Sequence, residues 1–255
     1  MIVFSHGFLG CATQSRFLME AFAKAGYTVF APNHRDALCI AEGTWPKQGF
    51  PLQSPSQWTD ADLRDRAQDI EALLEAIRAD DQLRIRVDLS HLGLVGHSLG
   101  GYTVLGLGGA WPSWKLAGVS AVLALAPYAE PFIDQEALGK LGVPVMYQGG
   151  TLDFTTPALM KPSGAYDQSP SPKYLVEFVL ASHWAWTNIG FVAREQILQY
   201  SLAFMDAYVR SLAREAELTT SAHGVAELRH AETSAGNAEV LPAIGRVAPT
   251  PAVGD

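Results

Sequence analysis

The sequence predicts an α/β fold, a mainly parallel sheet of about six strands flanked by helices. Three observations carry this expectation. Short apolar runs recur from the first residue to about residue 180, segments with helical spacing lie between them, and one run leads into a glycine-framed serine, "GLVGHSLGG" at 93–101. The runs are "MIVFS" (1–5), "YTVFAP" (27–32), "LGLVG" (92–96), "VSAVLALAP" (119–127), "VPVMYQG" (143–149) and "YLVEFVL" (174–180). All are short for core helices, and most are rich in β-branched or aromatic residues, so they read as strands.

The helical segments have apolar faces of their own. Residues 14–25 place Phe17, Leu18, Ala21 and Phe22 on one side and stop at Gly26. A second helix is expected from Thr59, read as an N-cap with Asp62 three residues on, through Leu63, Ala67, Ile70, Leu74 and Ile77. A third, near 191–213, repeats Leu198, Leu202, Met205, Val209 and Leu212 at alternating spacings of four and three. Strands alternating with helices imply right-handed βαβ units, and in such sheets ligands bind beyond the carboxyl ends of the strands.

Composition bounds the rest. A chain of 255 residues, 48% hydrophobic, can build one sizeable core. A formal charge of -8 opposes binding to nucleic acid or anionic membrane. No apolar run reaches the roughly 18 to 20 residues of a membrane span, and Met1 leads straight into strand-like sequence, so the cytoplasm is the expected location. A misplaced start would leave secretion open. Cys11 and Cys39, without C-x-x-C or His-rich spacing, read as two reduced thiols and not as a disulfide or zinc site. One folded domain is read as 1–215. Residues 216–255, rich in Ala, Pro, Gly, Ser and Thr, read as a mobile tail in which "GVAELRHA" has local order.

Ser98 follows a strand and precedes a helical run, the context of a nucleophile turn. Gly96 and Gly100 suit a bend too sharp for side chains two residues to either side. A serine hydroxyl needs a base, and neutral histidine is the usual one. Of seven histidines, His183 in "LASHWAWTN" lies after the last predicted strand, at the same end of the sheet as Ser98. His97 would point away from the serine. Asp153 in "GGTLDFTTP", after the preceding strand, completes the order Ser, Asp, His; Glu130 in "APYAEPF" is the rival acid. The oxyanion donors are expected to be the N–H groups of Leu99 and of Phe8 in "SHGFLG".

The connection 37–58 carries Trp45, Phe50 and Trp58 and has the length of a lid or pocket wall. Together with Trp184 and Trp186 it suggests an apolar, aromatic-accepting pocket; the same aromatics could equally close the edge of the core. "HRD" at 34–36 stands without a Gly-rich ATP loop or D-F-G partner and reads as loop structure.

The motifs "FSHGFLG", "GYTVFAPNHRDA", "GHSLGGYTVLGL", "VPVMYQGGTLDFTTP" and "ASHWAW" occur in order. Through them residues 1 to about 213 resemble α/β-hydrolases of the branch that holds platelet-activating-factor acetylhydrolase-like, dienelactone-hydrolase-like and cutinase-like proteins. The resemblance implies a serine esterase of α/β-hydrolase fold, with no metal or organic cofactor, acting on a small-molecule ester. Three departures stand out. Dienelactone hydrolases carry cysteine where Ser98 stands, the acetylhydrolase acid position is Ala126 here, and the usual N-terminal hairpin before the first motif strand is lacking. The function expected is carboxylic-ester hydrolysis through an acyl-enzyme on small to medium esters, feruloyl-type ones included. Polyester or lipid-acetyl hydrolysis is the alternative, and a catalytically silent ligand binder is the alternative of another class. Oligomeric state is left open.

Overall fold

The computed structural model describes residues 1–39, 54–155, 159 and 161–232. Among these, seven strands form one sheet: β1 (Ile2–Ser5), β2 (Val29–Phe30), β3 (Leu92–His97), β4 (Val119–Leu125), β5 (Val145–Gly150), β6 (Lys173–Phe178) and β7 (Val225–Ala231). The order is β2-β1-β3-β4-β5-β6-β7. The first six are parallel, with Val3 opposite Leu94 and Leu94 opposite Val122, and β7 runs antiparallel to β6.

Period-two alternation along these strands feeds two cores. Val3, Leu94 and Val122 face one side, where they meet helices α2 (Arg64–Ala79) and α4 (Leu99–Leu105). Ile2, Phe4, Val95 and Leu123 face the other, against α1 (Arg16–Lys24) and α7 (Arg194–Val209). Strands buried on both faces read as continuous apolar runs, which is how β3 and β4 look in the sequence. Four short α-helices, α3 (Asp81–Arg84), α5 (Glu130–Asp134), α6 (Ala165–Gln168) and α8 (Glu215–Thr219), and several tighter helical turns fill the connections among the described residues.

Several expectations are corrected here. The sheet has a seventh strand, and it lies inside the segment read as a mobile tail. Leu175 pairs with Arg229, and Arg229 also meets Asp167 at 3.3 Å. The stretch expected to have local order, "GVAELRHA", is this strand, Val225–Ala231; composition did not disclose that it pairs with β6. Residues 233–255 lie outside the described part. The second helix starts at Arg64 and not at Thr59, because Leu63 is left-handed (φ 57°) and cannot continue a helix. Thr59 and Asp62 bond each other in the turn before it. Cys11 and Cys39 are joined in a disulfide, with Cα atoms 6.0 Å apart, in place of two thiols. The fold brings together two loops 28 residues apart, which spacing alone could not reveal.

Candidate active site

Ser98 occupies the bend between β3 and α4 with φ 55° and ψ -118°, a conformation costly for a residue with a Cβ. The bend is held on every side. Ser98 N–H donates to the Leu125 carbonyl at 2.9 Å, and its own carbonyl accepts the N–H groups of Gly101 and Tyr128, each at 2.9 Å. A Cβ at Gly96 would lie 2.1 Å from the Gly100 carbonyl oxygen, and one at Gly100 2.0 Å from that of Ser5. Both contacts are with backbone, so neither can be relieved by a rotamer change. The glycines let α4 sit directly on β3 and β1, which lifts the serine hydroxyl off the sheet.

Asp153 follows β5, and His183 follows β6, so both reach the same end of the sheet as Ser98. His183 Nε2 lies 2.9 Å from Ser98 Oγ, and Nδ1 lies 2.9 Å from Asp153 Oδ2. The carboxylate claims the proton on Nδ1, leaving Nε2 as acceptor for the serine hydroxyl. Asp153 is buried and its second oxygen accepts the Thr155 N–H at 2.9 Å. Glu130, the rival acid, begins α5 and makes no bond to His183; its Oε2 is buried with no hydrogen-bond partner among the described residues, and burial raises its pKa.

Leu99 is the first residue of α4, where an N–H has no carbonyl partner within the helix. Phe8 lies in a turn closed by the Gly10 N–H on the Gly7 carbonyl at 2.9 Å. Its neighbours are tethered: Gly7 N–H donates to Gln14 Oε1 at 3.1 Å, and Leu9 N–H to Asp36 Oδ2 at 3.2 Å. Arg66, itself buried, bonds the His6 carbonyl and the Asp36 carboxylate, and its Nε donates to Thr103 in α4. "HRD" is therefore more than loop filler. Asp36 grips the turn bearing Phe8, and His34 bonds Ser5 Oγ and Asp69 Oδ2, each at 2.8 Å. Burial, with the Arg66 charge next, pushes His34 well below the ordinary histidine range and His6 to about 4. Sequence reasoning missed Gln14, Asp36 and Arg66. Their signal, polar residues facing a Gly-rich turn, is visible only once β1, the 31–37 loop and α2 are adjacent.

The aromatic residues divide. Trp184 is 57% exposed and stands edge-on to His183, with ring centroids 5.9 Å apart. Trp186 is not a pocket residue: it is fully buried behind His97, its Nε1–H donating to Gln148 Oε1 at 2.9 Å. An indole N–H needs such a partner in a core, and Gln148 in β5 supplies it. Trp58 is likewise buried, packed against Tyr102 and Tyr128. Trp45 and Phe50 lie outside the described residues. Leu152, Phe154, Leu180, Ile189 and Phe191, all exposed, flank Asp153 and His183 in the chain. Phe154, which directly follows Asp153, is 82% exposed.

Among the described residues no group of three or more His, Cys, Asp or Glu side chains could hold a metal ion, and no helix is long and apolar enough to cross a membrane. Comparison with curated proteins finds no match. A family model, that of the alpha/beta hydrolase family, matches residues 2–246. The seven-stranded, mostly parallel sheet has that family's fold, and the chain belongs to the alpha/beta hydrolase family.

Proposed function

We propose that this hydrolase is a serine carboxylic-ester hydrolase working through an acyl-enzyme. The observation that carries the reading is His183 set 2.9 Å from both Ser98 Oγ and Asp153 Oδ2, with the serine on a strained bend. Ser98 Oγ attacks the ester carbonyl as its proton passes to His183 Nε2, and the N–H groups of Phe8 and Leu99 hold the resulting oxyanion. The C–O bond to the alcohol then breaks, and His183 returns the proton to the leaving oxygen. Water, deprotonated by His183, attacks the acyl-Ser98 carbonyl; the acid departs and Ser98 recovers its proton. Asp153 stays ionised throughout, holding the imidazole tautomer and balancing its charge.

The substrate is read as an apolar ester of small to medium size. Trp184, edge-on to His183, and the exposed apolar residues close to Asp153 and His183 in the chain favour apolar acyl or alcohol groups, aromatic feruloyl-type ones included. The same exposed apolar side chains favour a second reading, a water-insoluble polyester or lipid ester, in keeping with the branch that the motifs resemble. The Cys11–Cys39 bond favours an oxidising compartment over the cytoplasm. Protein purified without reductant should then show no titratable thiol, and two free thiols would refute that location.

The test is a panel of p-nitrophenyl esters from acetate to palmitate, with ethyl ferulate and an emulsified triglyceride, run on the wild type and on Ser98→Ala. The wild type should hydrolyse at least the short esters, and Ser98→Ala should lose turnover by several orders of magnitude, about 10⁶-fold in the best-studied comparable enzyme. No turnover of any ester, with no labelling by a fluorophosphonate, would leave the silent-binder reading standing instead.

A further inference from the structure

Gln14 occupies a position that neither the nucleophile, the base nor the acid explains. Its carboxamide oxygen accepts the Gly7 N–H at 3.1 Å, and its nitrogen lies 2.8 Å from His97 Nδ1. His97 Nε2 in turn lies 2.8 Å from the carbonyl oxygen of His183. The direction of every bond in this chain is forced. Gly7 N–H can only donate, so the amide oxygen faces it; the amide nitrogen can only donate, so His97 Nδ1 is an acceptor; the proton of His97 is therefore on Nε2, where the His183 carbonyl accepts it. Burial, reinforced by the neighbouring His183, lowers the His97 pKa to about 3, so the ring stays neutral and the chain stays intact.

The backbone around Gln14 is fastened to the segment that follows His183. Asn188 N–H donates to the Gln14 carbonyl at 2.9 Å, Asn188 Nδ2 to the Thr13 carbonyl at 2.7 Å, and Ser15 Oγ to the Trp186 carbonyl at 2.6 Å. One short segment, 13–15, thus touches three pieces of the site: the turn bearing Phe8, the strand end bearing Ser98, and the loop bearing His183. The side chain of Gln14 joins the first two. A Cβ at Gly7 would lie 3.3 Å from the Ser98 Cβ and 3.4 Å from Gln14 Oε1, which shows how tightly the turn, the nucleophile and the amide are nested.

We propose that Gln14 is a positioning residue that, through the Gly7–Gln14–His97–His183 chain, sets the turn bearing Phe8 in register with Ser98 and His183. The inference rests on the esterase reading for its kinetic consequence. Gln14 touches no reacting atom; it acts by holding the oxyanion donor where the developing charge appears, and a displacement near 1 Å there costs about 10²-fold.

The test is Gln14→Met, which keeps length and apolar bulk while removing both bonds and leaves the backbone bonds to Asn188 in place. With p-nitrophenyl acetate, kcat should fall about 10²-fold with KM within about threefold, and affinity for an alkylboronic acid, which forms a tetrahedral adduct on serine, should fall in parallel. A kcat close to wild type, or a loss confined to KM, overturns the proposal. A second measurement needs no variant: ¹⁵N NMR of the imidazoles of the wild-type protein should show His97 as the neutral Nε2–H tautomer from pH 5 to 9, and an Nδ1–H tautomer or an imidazolium would overturn it. Should the wild type hydrolyse no ester, the esterase reading fails while the tautomer measurement still decides the chain of bonds.

Discussion

A serine with φ 55° is unfavourable by itself, and its persistence at Ser98 depends on bonds to both of its peptide groups and on two glycines that leave room for the bend. The side chain then meets His183, and the choice of acid becomes a question about two carboxylates. Asp153→Asn should leave the fold standing but admit the wrong imidazole tautomer, lowering kcat by about 10⁴-fold. Glu130→Gln should stay within about tenfold, because that carboxylate contributes at most to the local field. Steady-state kinetics of the two variants decide the matter, and the reverse ranking would move the acid to the loop after β4. The convergence of Ser98, Asp153 and His183 was legible because each comes within a few residues of the end of a recognisable strand, in the order Ser, Asp, His. Trp186 was not. It stands two residues from the exposed Trp184, and only its indole bond to Gln148 in the neighbouring strand turns it inward.

Helix α4 lies closest to the chemistry, and its fit against β1 and β3 is a backbone-to-backbone contact. Gly100→Ala would place a methyl group 2.0 Å from the Ser5 carbonyl oxygen, so the helix must move away from the strand. Overpacking of this kind costs about 1–3 kcal/mol. We expect a lower urea midpoint together with a fall in kcat, since Ser98 and the Leu99 N–H move with the helix. An unchanged midpoint and kcat would mean that the contact relaxes without cost. At this scale the six parallel strands were readable as apolar runs. The start of α2 was not, because the Thr59–Asp62 pair looks like a cap and Leu63 gives no outward sign of its left-handed backbone. For β7 only local order was readable and not its pairing, because it adds to one edge of the sheet and its same-face positions Val225, Glu227 and Arg229 include two charges.

In the molecule as a whole, His6, His34 and His97 are buried and held neutral, with pKa values below the ordinary 6.5 of an unfolded chain. The unfolded state therefore binds more protons than the folded state once the pH drops below about 6.5, and stability falls with pH. For His6 the loss runs from 6.5 down to about 4, and for His97 down to about 3. Each contributes up to about 1.4 kcal/mol per pH unit within its window. Urea unfolding at pH 7, 6 and 5 should give a steadily falling free energy, with a smaller fall in His97→Gln; equal stability at the three values would contradict the burial of neutral rings. None of this was legible beforehand, because a histidine in sequence does not disclose whether it will be enclosed. The disulfide was hidden by the same lack, since Cys11 and Cys39 become neighbours only when the loops after β1 and β2 meet.

The central claim is that acyl transfer passes through Ser98, and it is tested most directly by trapping the intermediate. Wild-type protein mixed with excess p-nitrophenyl acetate and quenched in acid should carry one added acetyl group, mapped by mass spectrometry of the digest to the peptide containing Ser98, and Ser98→Ala should carry none. An acetyl group found stably on another residue, or ester hydrolysis that continues undiminished in Ser98→Ala, would contradict the account.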